Sequence, residues 1–294
     1  MNKNIFFKKI KLIEQLIYIK LFGKMNNIIS DEQYNKRIYK IRFGKNPDLD
    51  NPKTFNENII KNKVFDDEYY LSKYTDKYDV RKYVEKKIGK EYLNEIYDLY
   101  NSVDDIDFSK LPSEFALKAT HGSGWNIIVK DKDDINLNKV KRLFKKWLHM
   151  NYYYVGREKN YKNIKGRIIC EKYLDLSEGL IEYKVFCFNG KARFFTYNLE
   201  WSDHRISNYY YPDGSYIDVG IGYQHSPKYE LTDNYKTIIE LAEKLAADFK
   251  FVRVDLYSVK GKIYFSELTF HPNGGFSPFN PEEYDINFGT YFNK

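Results

Sequence analysis

Residues 251–275 read FVRVDLYSVKGKIYFSELTFHPNGG. Apolar and aromatic residues alternate with polar ones on both sides of a Lys-Gly-Lys turn, a pattern that predicts a β-hairpin. Four polar residues lie inside the two strands rather than at their ends, namely Arg253, Asp255, Glu267 and Thr269. A hairpin that carries two acids and an arginine in its strands needs a chemical reason.

The register of this hairpin decides whether the four side chains meet. A three-residue loop at residues 260–262 would place Asp255 opposite Glu267. The same register places Arg253 opposite Thr269, and all four side chains share one face because side chains alternate along a strand. A two-residue loop would shift the register by one and move Glu267 to the other face.

A shared face would bring the two carboxylates together. Two facing carboxylates repel each other unless a cation lies between them. Mg²⁺ is typically held by one or two carboxylates, with phosphate oxygens completing its shell. Asp255 and Glu267 are therefore candidate ligands of a divalent cation. The alternative is a surface hairpin with its charges on the wet side and Arg253 paired with Asp255.

The composition is that of a globular chain. The 294 residues suffice for about two domains, and 43% of them are hydrophobic. The net charge is +7, but lysines alternate with acids and no long arginine-rich block is present, so no nucleic-acid partner is predicted. Cys170 and Cys187 lie in apolar runs without a CxxC spacing. They are predicted to be buried, inert thiols in a reducing cytosol.

The segment at residues 5–22 has apolar residues at helical spacing with lysines between them. These lysines exclude a signal peptide and a membrane span. The segment is predicted to be a basic amphipathic helix, either packed on the protein or resting on an anionic membrane surface. The predicted location is cytoplasmic, at the inner face of the plasma membrane in the second case.

Helical patterns dominate the first third of the chain, and strands with interspersed helices follow. Thr54 and Glu57 have the spacing of a capping box, and Gly89 is a helix stop. Asn189-Gly190 is a strong hairpin turn. This order predicts an α+β fold. The predicted divisions are a helical N-terminal region at 1–110, a subdomain at 111–180 and a second subdomain at 181–294.

A glycine-rich stretch follows one predicted strand. Lys118 ends the strand, and a turn of four residues comes next, namely His121, Gly122, Ser123 and Gly124. Glycines let backbone N–H groups approach phosphate oxygens, and a nearby ammonium meets their charge. The stretch is not a Walker loop, because no Gly-Lys-Ser/Thr follows. The alternative is an ordinary hairpin turn.

Further along, Glu171 ends another apolar strand. Glu182 and Lys184 share one face at the start of a strand that should be buried. An exposed acid beside a lysine is usually a surface pair of little energetic value. A lysine at the start of a buried strand needs a partner, and a phosphate would supply one.

Taken in order, these stretches resemble the ATP-grasp superfamily, and more closely its TupA-like branch, which is associated with teichuronopeptide and capsular polysaccharide synthesis. The resemblance runs from about residue 51 to the end. Six stretches carry it: DKYDVRKYV (76–84), LPSEFALKATHGSGWNIIVKDK (111–132), CEKYL (170–174), EYKVFCFNGK (182–191), the hairpin at 251–270, and GGFSPFNPEEYDINFG (274–289). It implies an ATP-grasp fold, in which two α+β subdomains clasp ATP.

The resemblance also implies residue roles. Lys118 and Lys184 would contact ATP phosphates, and residues 121–124 would form the flap over them. Adenine would lie along the linker, whose residues are Glu171, Lys172, Tyr173 and Leu174. Glu182 would hold the ribose hydroxyls, and Arg253 would lie near the transferred phosphoryl group. Mg²⁺ would be held by Asp255, Glu267 and Thr269, although Thr269 stands where most ATP-grasp enzymes have an asparagine ligand, which leaves open whether one or two metals bind.

The implied reaction is amide formation. A substrate carboxylate takes the γ-phosphoryl group of ATP, and an amine then displaces phosphate from the acyl phosphate. The setting of the branch suggests a uronic-acid carboxylate of a surface glycan, joined to an amino acid or amine. Acceptor-side candidates are Arg81, His121, Arg205 and His271, with Trp125 and Trp201 as sugar-stacking candidates against a default of core packing. The oligomeric state is not indicated.

Two other classes compete with the ligase. Asp105 and Asp107 form a DxD, as in metal-dependent glycosyltransferases, although they lie in a polar stretch rather than after an apolar strand. A non-catalytic nucleotide-binding scaffold at the membrane is the other, and Thr269 leaves room for it.

Overall fold

The structure is a computed structural model, and it describes residues 29–175, 180–200, 205–221 and 228–294. The predicted amphipathic segment at 5–22 and Trp201 lie outside these ranges, as does the side chain of Arg205. The helices are α1 (Asp31–Phe43), α2 (Phe55–Phe65), α3 (Ser72–Thr75), α4 (Val80–Ile88), α5 (Leu137–Leu148), α6 (Tyr153–Gly156), α7 (Tyr235–Ala246) and α8 (Glu283–Gly289). Short 3₁₀ turns occupy Tyr69–Leu71, Lys90–Tyr92, Val103–Asp105, Phe108–Lys110, Lys132–Asp134, Lys159–Tyr161, Pro272–Gly275 and Thr290–Asn293.

One sheet has four antiparallel strands. They are β1 (Ile96–Tyr100), β2 (Phe115–Ala119), β3 (Asn126–Val129) and β4 (Ile168–Lys172), in the spatial order β1-β4-β2-β3. Helix α5 packs on this sheet through Val140, Phe144 and Trp147, with Leu143 and Leu148 half-buried beside them. Strand β1 falls inside the region that the sequence pattern predicts as mostly helical, because its alternation is short and half-exposed.

The second sheet has six strands. They are β5 (Leu180–Phe188), β6 (Lys191–Glu200), β7 (Arg205–Tyr210), β8 (Tyr216–Ile217), β10 (Phe251–Val259) and β11 (Lys262–Thr269), in the order β11-β10-β5-β6-β7-β8. Two short strands, β9 (Gly220–Ile221) and β12 (Phe279–Asn280), pair with each other. All pairings are antiparallel, which together with the helices confirms the α+β class.

Both faces of the six-stranded sheet are covered. Helix α7 buries Ile238, Leu241 and Leu245 against one face, together with Val84 of α4. Phe55 of α2 and Phe288 of α8 join the aromatic cluster of the other face. Each such side chain contributes about 2 kcal/mol by leaving water. This packing holds β10 and β11 rigid, and these strands carry the acids of interest.

The local signals of the sequence are largely present. The capping box at Thr54 is formed with Glu57, and α4 ends at Gly89. The Asn189-Gly190 turn joins β5 to β6 with positive φ at both residues. The sequence pattern also predicts Asp233 as the cap of α7, and this was wrong by one position, because Asn234 precedes the helix and its side chain does not cap it.

The β10–β11 hairpin reaches the predicted register by an unpredicted route. Val259 pairs with Lys262, so the loop has two residues, Lys260 and Gly261, both with positive φ as a type I′ turn requires. The predicted three-residue loop was therefore wrong. A β-bulge at Ser266 adds one residue to β11, so that Asp255 still faces Glu267 and Arg253 still faces Thr269.

Candidate active site

The two sheets meet at a cavity of about 130 Å³. The four-stranded sheet contributes Lys118 and Glu171, and the six-stranded sheet contributes Phe265 and Glu267. A larger adjoining cavity of about 750 Å³ shares Arg81, Asn94 and Leu174 with the first. Elements far apart in sequence thus line one continuous cleft.

Asp255 is the centre of a buried charge network. Its side chain is 0% exposed, Oδ1 accepts a bond from Nε of Arg253 at 2.7 Å, and Oδ2 accepts bonds from Nη2 of Arg253 and Nζ of Lys184, each at 2.7 Å. Burial opposes ionisation of Asp255, but the charges of Arg253 and Lys184 outweigh it and hold the pKa of the carboxyl below its usual range. Asp255 is therefore an ionised carboxylate inside the protein.

Glu267 lies at the open side of the same network. Its Oε1 accepts a bond from Nη2 of Arg253 at 3.3 Å and from the Thr269 hydroxyl at 2.9 Å, and the Thr269 oxygen in turn accepts a bond from Nη2 of Arg253 at 3.0 Å. The Glu267 side chain remains 36% exposed. Both bonds use Oε1, which leaves Oε2 for another ligand.

Lys184 connects this network to Glu182, with Nζ at 2.8 Å from Oε2. Burial raises the pKa of Glu182, and Lys184 partly offsets that effect. The described residues that line the two cavities do not include Lys184, Arg253 or Asp255. The network reaches the cleft through Glu267.

The four-stranded sheet carries a simpler pair. Nζ of Lys118 lies 2.6 Å from Oε2 of Glu171, with side-chain exposures of 27% and 8%. Burial opposes ionisation of Glu171, but the Lys118 charge outweighs it and lowers the pKa of the carboxyl. Beyond Glu171, the backbone N–H of Lys172 donates to Glu95 and its carbonyl accepts from Asn94. Tyr173 and Leu174 line the larger cavity.

The glycine-rich turn is held closely against the protein. A Cβ on Gly122 would collide with the ring of Trp125, so only glycine fits there. Gly124 has φ of +72° and lines the smaller cavity. The His121 ring is buried, with Nε2 at 2.9 Å from the Trp147 carbonyl oxygen. Any contact of residue 121 with a ligand would therefore come from its backbone.

Two cations of the cleft were not predicted in these roles. Lys77 lines the smaller cavity, donates to the Gly122 carbonyl oxygen at 2.6 Å, and has its pKa lowered by burial. Arg81, predicted on the acceptor side, lines both cavities and donates to the Asn94 carbonyl oxygen at 2.7 Å. Cations beside a predicted helix are normally solvated, so their spacing carried no signal.

Other candidates are used for packing or for turns. Trp125 is 1% exposed and stacks on Trp147, which is the default of core packing. His271 is buried between Glu68, at 2.6 Å, and Glu158, at 3.5 Å. Burial opposes its charge, but the two acids outweigh it and raise the pKa of His271 to about 9. His271 is not among the described residues that line the two cavities.

The DxD of the glycosyltransferase alternative has a local explanation. Asp105 accepts a bond from the backbone N–H of Ser102, and Asp107 accepts one from the backbone N–H of Ser109. Both acids therefore stabilise exposed 3₁₀ turns. Both cysteines are buried as predicted, and burial raises the pKa of the Cys170 thiol to about 12.

The donor set suits Mg²⁺. Asp255 and Glu267 face each other across the hairpin and supply hard carboxylate oxygens, which magnesium prefers when phosphate oxygens complete its shell. Within residues 29–175, 180–200, 205–221 and 228–294, no group of three or more His, Cys, Asp or Glu could hold a metal ion. Asp255 is 0% exposed and is not among the described lining residues, so of this pair Glu267 presents the oxygen to the cleft, and one carboxylate with phosphate ligands suffices for magnesium.

Comparison with known proteins identifies one family. Residues 57–293 match the model of the TupA-like ATPgrasp family, and no curated protein matches the chain. D-alanine–D-alanine ligase from Bacillus anthracis, solved with ATP, is 18% identical, with 68% of this chain and 56% of that chain covered and a TM-score of 0.42. L-amino acid ligase from Bacillus licheniformis is 14% identical, with 79% and 47% covered and a TM-score of 0.44. The chain thus spans about half the length of these structures, and similarity at this level does not extend to substrates.

The family match confirms the ATP-grasp fold that the resemblance implies. Among the described residues, no helix has the length and apolar character needed to cross a membrane.

Proposed function

The chain belongs to the TupA-like ATPgrasp family, and on that premise we propose that it is an ATP-dependent ligase that joins a carboxylate to an amine through an acyl phosphate. A carboxylate oxygen of the substrate attacks the γ-phosphorus, and the bond between that phosphorus and the β,γ-bridging oxygen breaks to release ADP. The amine nitrogen then attacks the acyl carbon, the bond to the phosphate oxygen breaks, and the amine loses a proton. The products are an amide, ADP and phosphate.

One observation carries this proposal. Lys118 and Glu267 come from different sheets, yet they line the same cavity, with the Asp255 network directly behind Glu267. Phosphoryl transfer requires little covalent help from the protein, but it requires positioning and charge neutralisation. A cleft with cations on one wall and paired carboxylates on the other provides both.

The four-stranded sheet would bind the phosphates. Lys118 and Lys77 supply ammonium groups, and the backbone of residues 122–124 closes over the oxygens. Lys118 is bonded to Glu171 before the nucleotide arrives, and the 27% exposure of the Lys118 side chain leaves its ammonium accessible to a bound phosphate. Adenine would lie against the linker at residues 171–174, and Glu182 would hold the ribose hydroxyls.

The six-stranded sheet would serve the reacting end. Glu267, with Asp255 behind it, would hold Mg²⁺, which when bound neutralises phosphate charge. Arg253 and Lys184 keep Asp255 ionised. Arg253, fixed by Asp255, would lie near the transferred phosphoryl group, where a positioned cation typically contributes about 3–4 kcal/mol to the transition state.

The substrates are proposed more specifically. The association of the branch with teichuronopeptide and capsular polysaccharide supports a uronate of a surface glycan as the carboxylate and an amino acid or small amine as its partner. The proposed setting is the bacterial cytoplasm, with the segment at 5–22 against the inner face of the membrane. The divisions at 1–110, 111–180 and 181–294 are proposed as the domain limits.

The test is ADP release from Mg·ATP against a panel of uronates paired with amino acids or amines. We expect release that requires both substrates and forms an amide detectable by mass. A matched Glu267→Gln variant should lower it by about 10²-fold. A thermal shift with ATP but not with a nucleotide sugar separates the ligase from a glycosyltransferase. Stabilisation by nucleotide sugars alone would refute the proposal, and so would ATP binding without turnover on any pair, as expected of a scaffold.

A further inference from the structure

Thr269 occupies an unusual place in the charge network. Its hydroxyl donates to Oε1 of Glu267 at 2.9 Å and accepts from Nη2 of Arg253 at 3.0 Å. A hydroxyl has one proton and two lone pairs. The proton and one lone pair are thus in use, and both partners are charged groups, whose hydrogen bonds are the stronger ones.

The oxygens left for a metal are few. Asp255 Oδ2 accepts two bonds and Oδ1 accepts one, and this side chain is 0% exposed and is not among the described residues that line either cavity. Of the two acids, Glu267 therefore presents an oxygen to the cleft, namely Oε2. That oxygen, with phosphate oxygens and water, meets the needs of a single Mg²⁺. A second ion would need a further carboxylate or amide oxygen, and residue 269 offers neither.

The positive charge between the acids is already present. The Nη2 atom of Arg253 contacts Asp255, Glu267 and Thr269 at once. The Arg253 side chain is only 9% exposed, so water cannot readily replace these bonds. Arg253 thereby neutralises the two carboxylates from the protein side, which a second metal ion would otherwise do.

From this geometry we infer that the site takes one divalent cation, and that Thr269 is a positioning residue that orients Glu267 instead of a metal ligand. Residue 269 then sets the number of ions. The inference rests on the proposed function, because the nucleotide supplies the remaining oxygens.

The test counts bound Mn²⁺ in the full chain saturated with a non-hydrolysable ATP analogue, by the electron paramagnetic resonance signal of free Mn²⁺. The expected value is one ion per complex for the native chain. Thr269→Asn adds an amide oxygen and is expected to bind two. Thr269→Val is expected to keep one ion but with about tenfold weaker affinity, because one hydrogen bond to a carboxylate is lost. Thr269→Ser, which restores the hydroxyl, should recover that affinity.

A matched control is Thr290→Val, which removes an exposed hydroxyl at the C-terminal side of α8 and should change neither number nor affinity. Two ions in the native chain would overturn the inference and leave the ligase proposal standing. A count of one in Thr269→Asn, or no recovery in Thr269→Ser, would overturn the role of residue 269. Absence of any nucleotide-dependent Mn²⁺ binding would overturn both the inference and the ligase.

Discussion

The two walls of the cleft hold their charges in different ways. On the four-stranded sheet, Lys118 has one acidic partner, Glu171, and is 27% exposed. On the six-stranded sheet, Asp255 is fully buried and shared by two cations. Glu171 is itself only 8% exposed, so the loss of either acid's partner would leave an unpaired buried charge. The difference is that Lys118 lines the cleft, whereas Lys184 and Arg253 are not among the described residues that line it. One wall therefore presents its cation to a ligand, and the other is preorganised behind the surface of the cleft.

Asp255→Asn gives the largest expected effect. The substitution leaves Arg253 and Lys184 with one charge fewer in a buried site, which should lower the free energy of unfolding by about 3–5 kcal/mol. It should also lower turnover by about 10²- to 10³-fold. Urea unfolding and single-turnover ADP release measure the two effects. Asp67→Asn, at an exposed position, is the charge-matched control. If Asp255→Asn were as stable as Asp67→Asn, the charge network of the six-stranded sheet would not be preorganised.

Glu267→Gln should separate catalysis from stability. Glu267 is 36% exposed and its Oε1 contacts survive in the amide, so the free energy of unfolding should change by less than about 1 kcal/mol. Turnover should still fall by about 10²-fold. The same two assays apply. Loss of stability as large as that of Asp255→Asn would erase the distinction between the buried and the open acid.

His271, which lies just after β11, is a further buried group that carries a charge. Glu68 and Glu158 raise its pKa to about 9 despite burial. In the unfolded chain this imidazole titrates near 6.5. Between these values the folded protein binds a proton that the unfolded chain has lost. The stabilisation is complete below about pH 6.5 and is lost as pH rises through about 9.

The measurement is urea unfolding of the native chain and His271→Asn at about pH 6, 7.5 and 9. The difference in unfolding free energy between them should shrink by about 3 kcal/mol across this window. Burial lowers the pKa of Lys63 to about 8, so Lys63 makes the unfolding free energy rise with pH above that value. Both proteins contain Lys63, so its contribution cancels when their unfolding free energies are subtracted. Parallel pH profiles for the two proteins would contradict the predicted charge on His271.

The smallest effect on function is expected at the four-stranded sheet. Lys118→Met should weaken ATP binding by about 10- to 10²-fold, because one ammonium contact to phosphate is lost. It should also lower the free energy of unfolding by about 1–3 kcal/mol, because the buried Glu171 carboxylate loses its partner. Lys130→Met, an exposed lysine after β3 that lies outside both cavities, should leave the Kd unchanged. Calorimetric titration with ATP measures both. Equal affinities in the two variants would remove Lys118 from the phosphate site.

Local sequence patterns predict part of the site correctly. The alternation in residues 251–269 correctly predicts that Asp255 faces Glu267 and Arg253 faces Thr269. The loop length behind that prediction was wrong, and the bulge at Ser266 restored the register. A bulge leaves no distinct mark in a sequence, because it depends on how the strand packs against its neighbours.

Other parts of the site could not be anticipated. Lys77 and Arg81 have the pattern of ordinary solvated cations, and only the tertiary structure brings Lys77, before α4, and Arg81, in its first turn, to the cleft. His121 looked like a ligand group because of its glycine neighbours, yet its ring is held by the Trp147 carbonyl of a helix 26 residues away. The DxD is occupied with local turn hydrogen bonds. In each case a partner distant in sequence, or a competing local bond, decides the role.

Fold class, strand alternation, helix caps and the shared face of the hairpin follow from the order of residues, because these features depend on neighbours within a few positions. The identity of the cleft does not. Burial of Asp255, its sharing between Arg253 and Lys184, and the meeting of Lys118 with Glu267 depend on the packing of two sheets built from segments about 150 residues apart. Electrostatic strength is set by distance and by exclusion of water, and both exist only once the chain is folded.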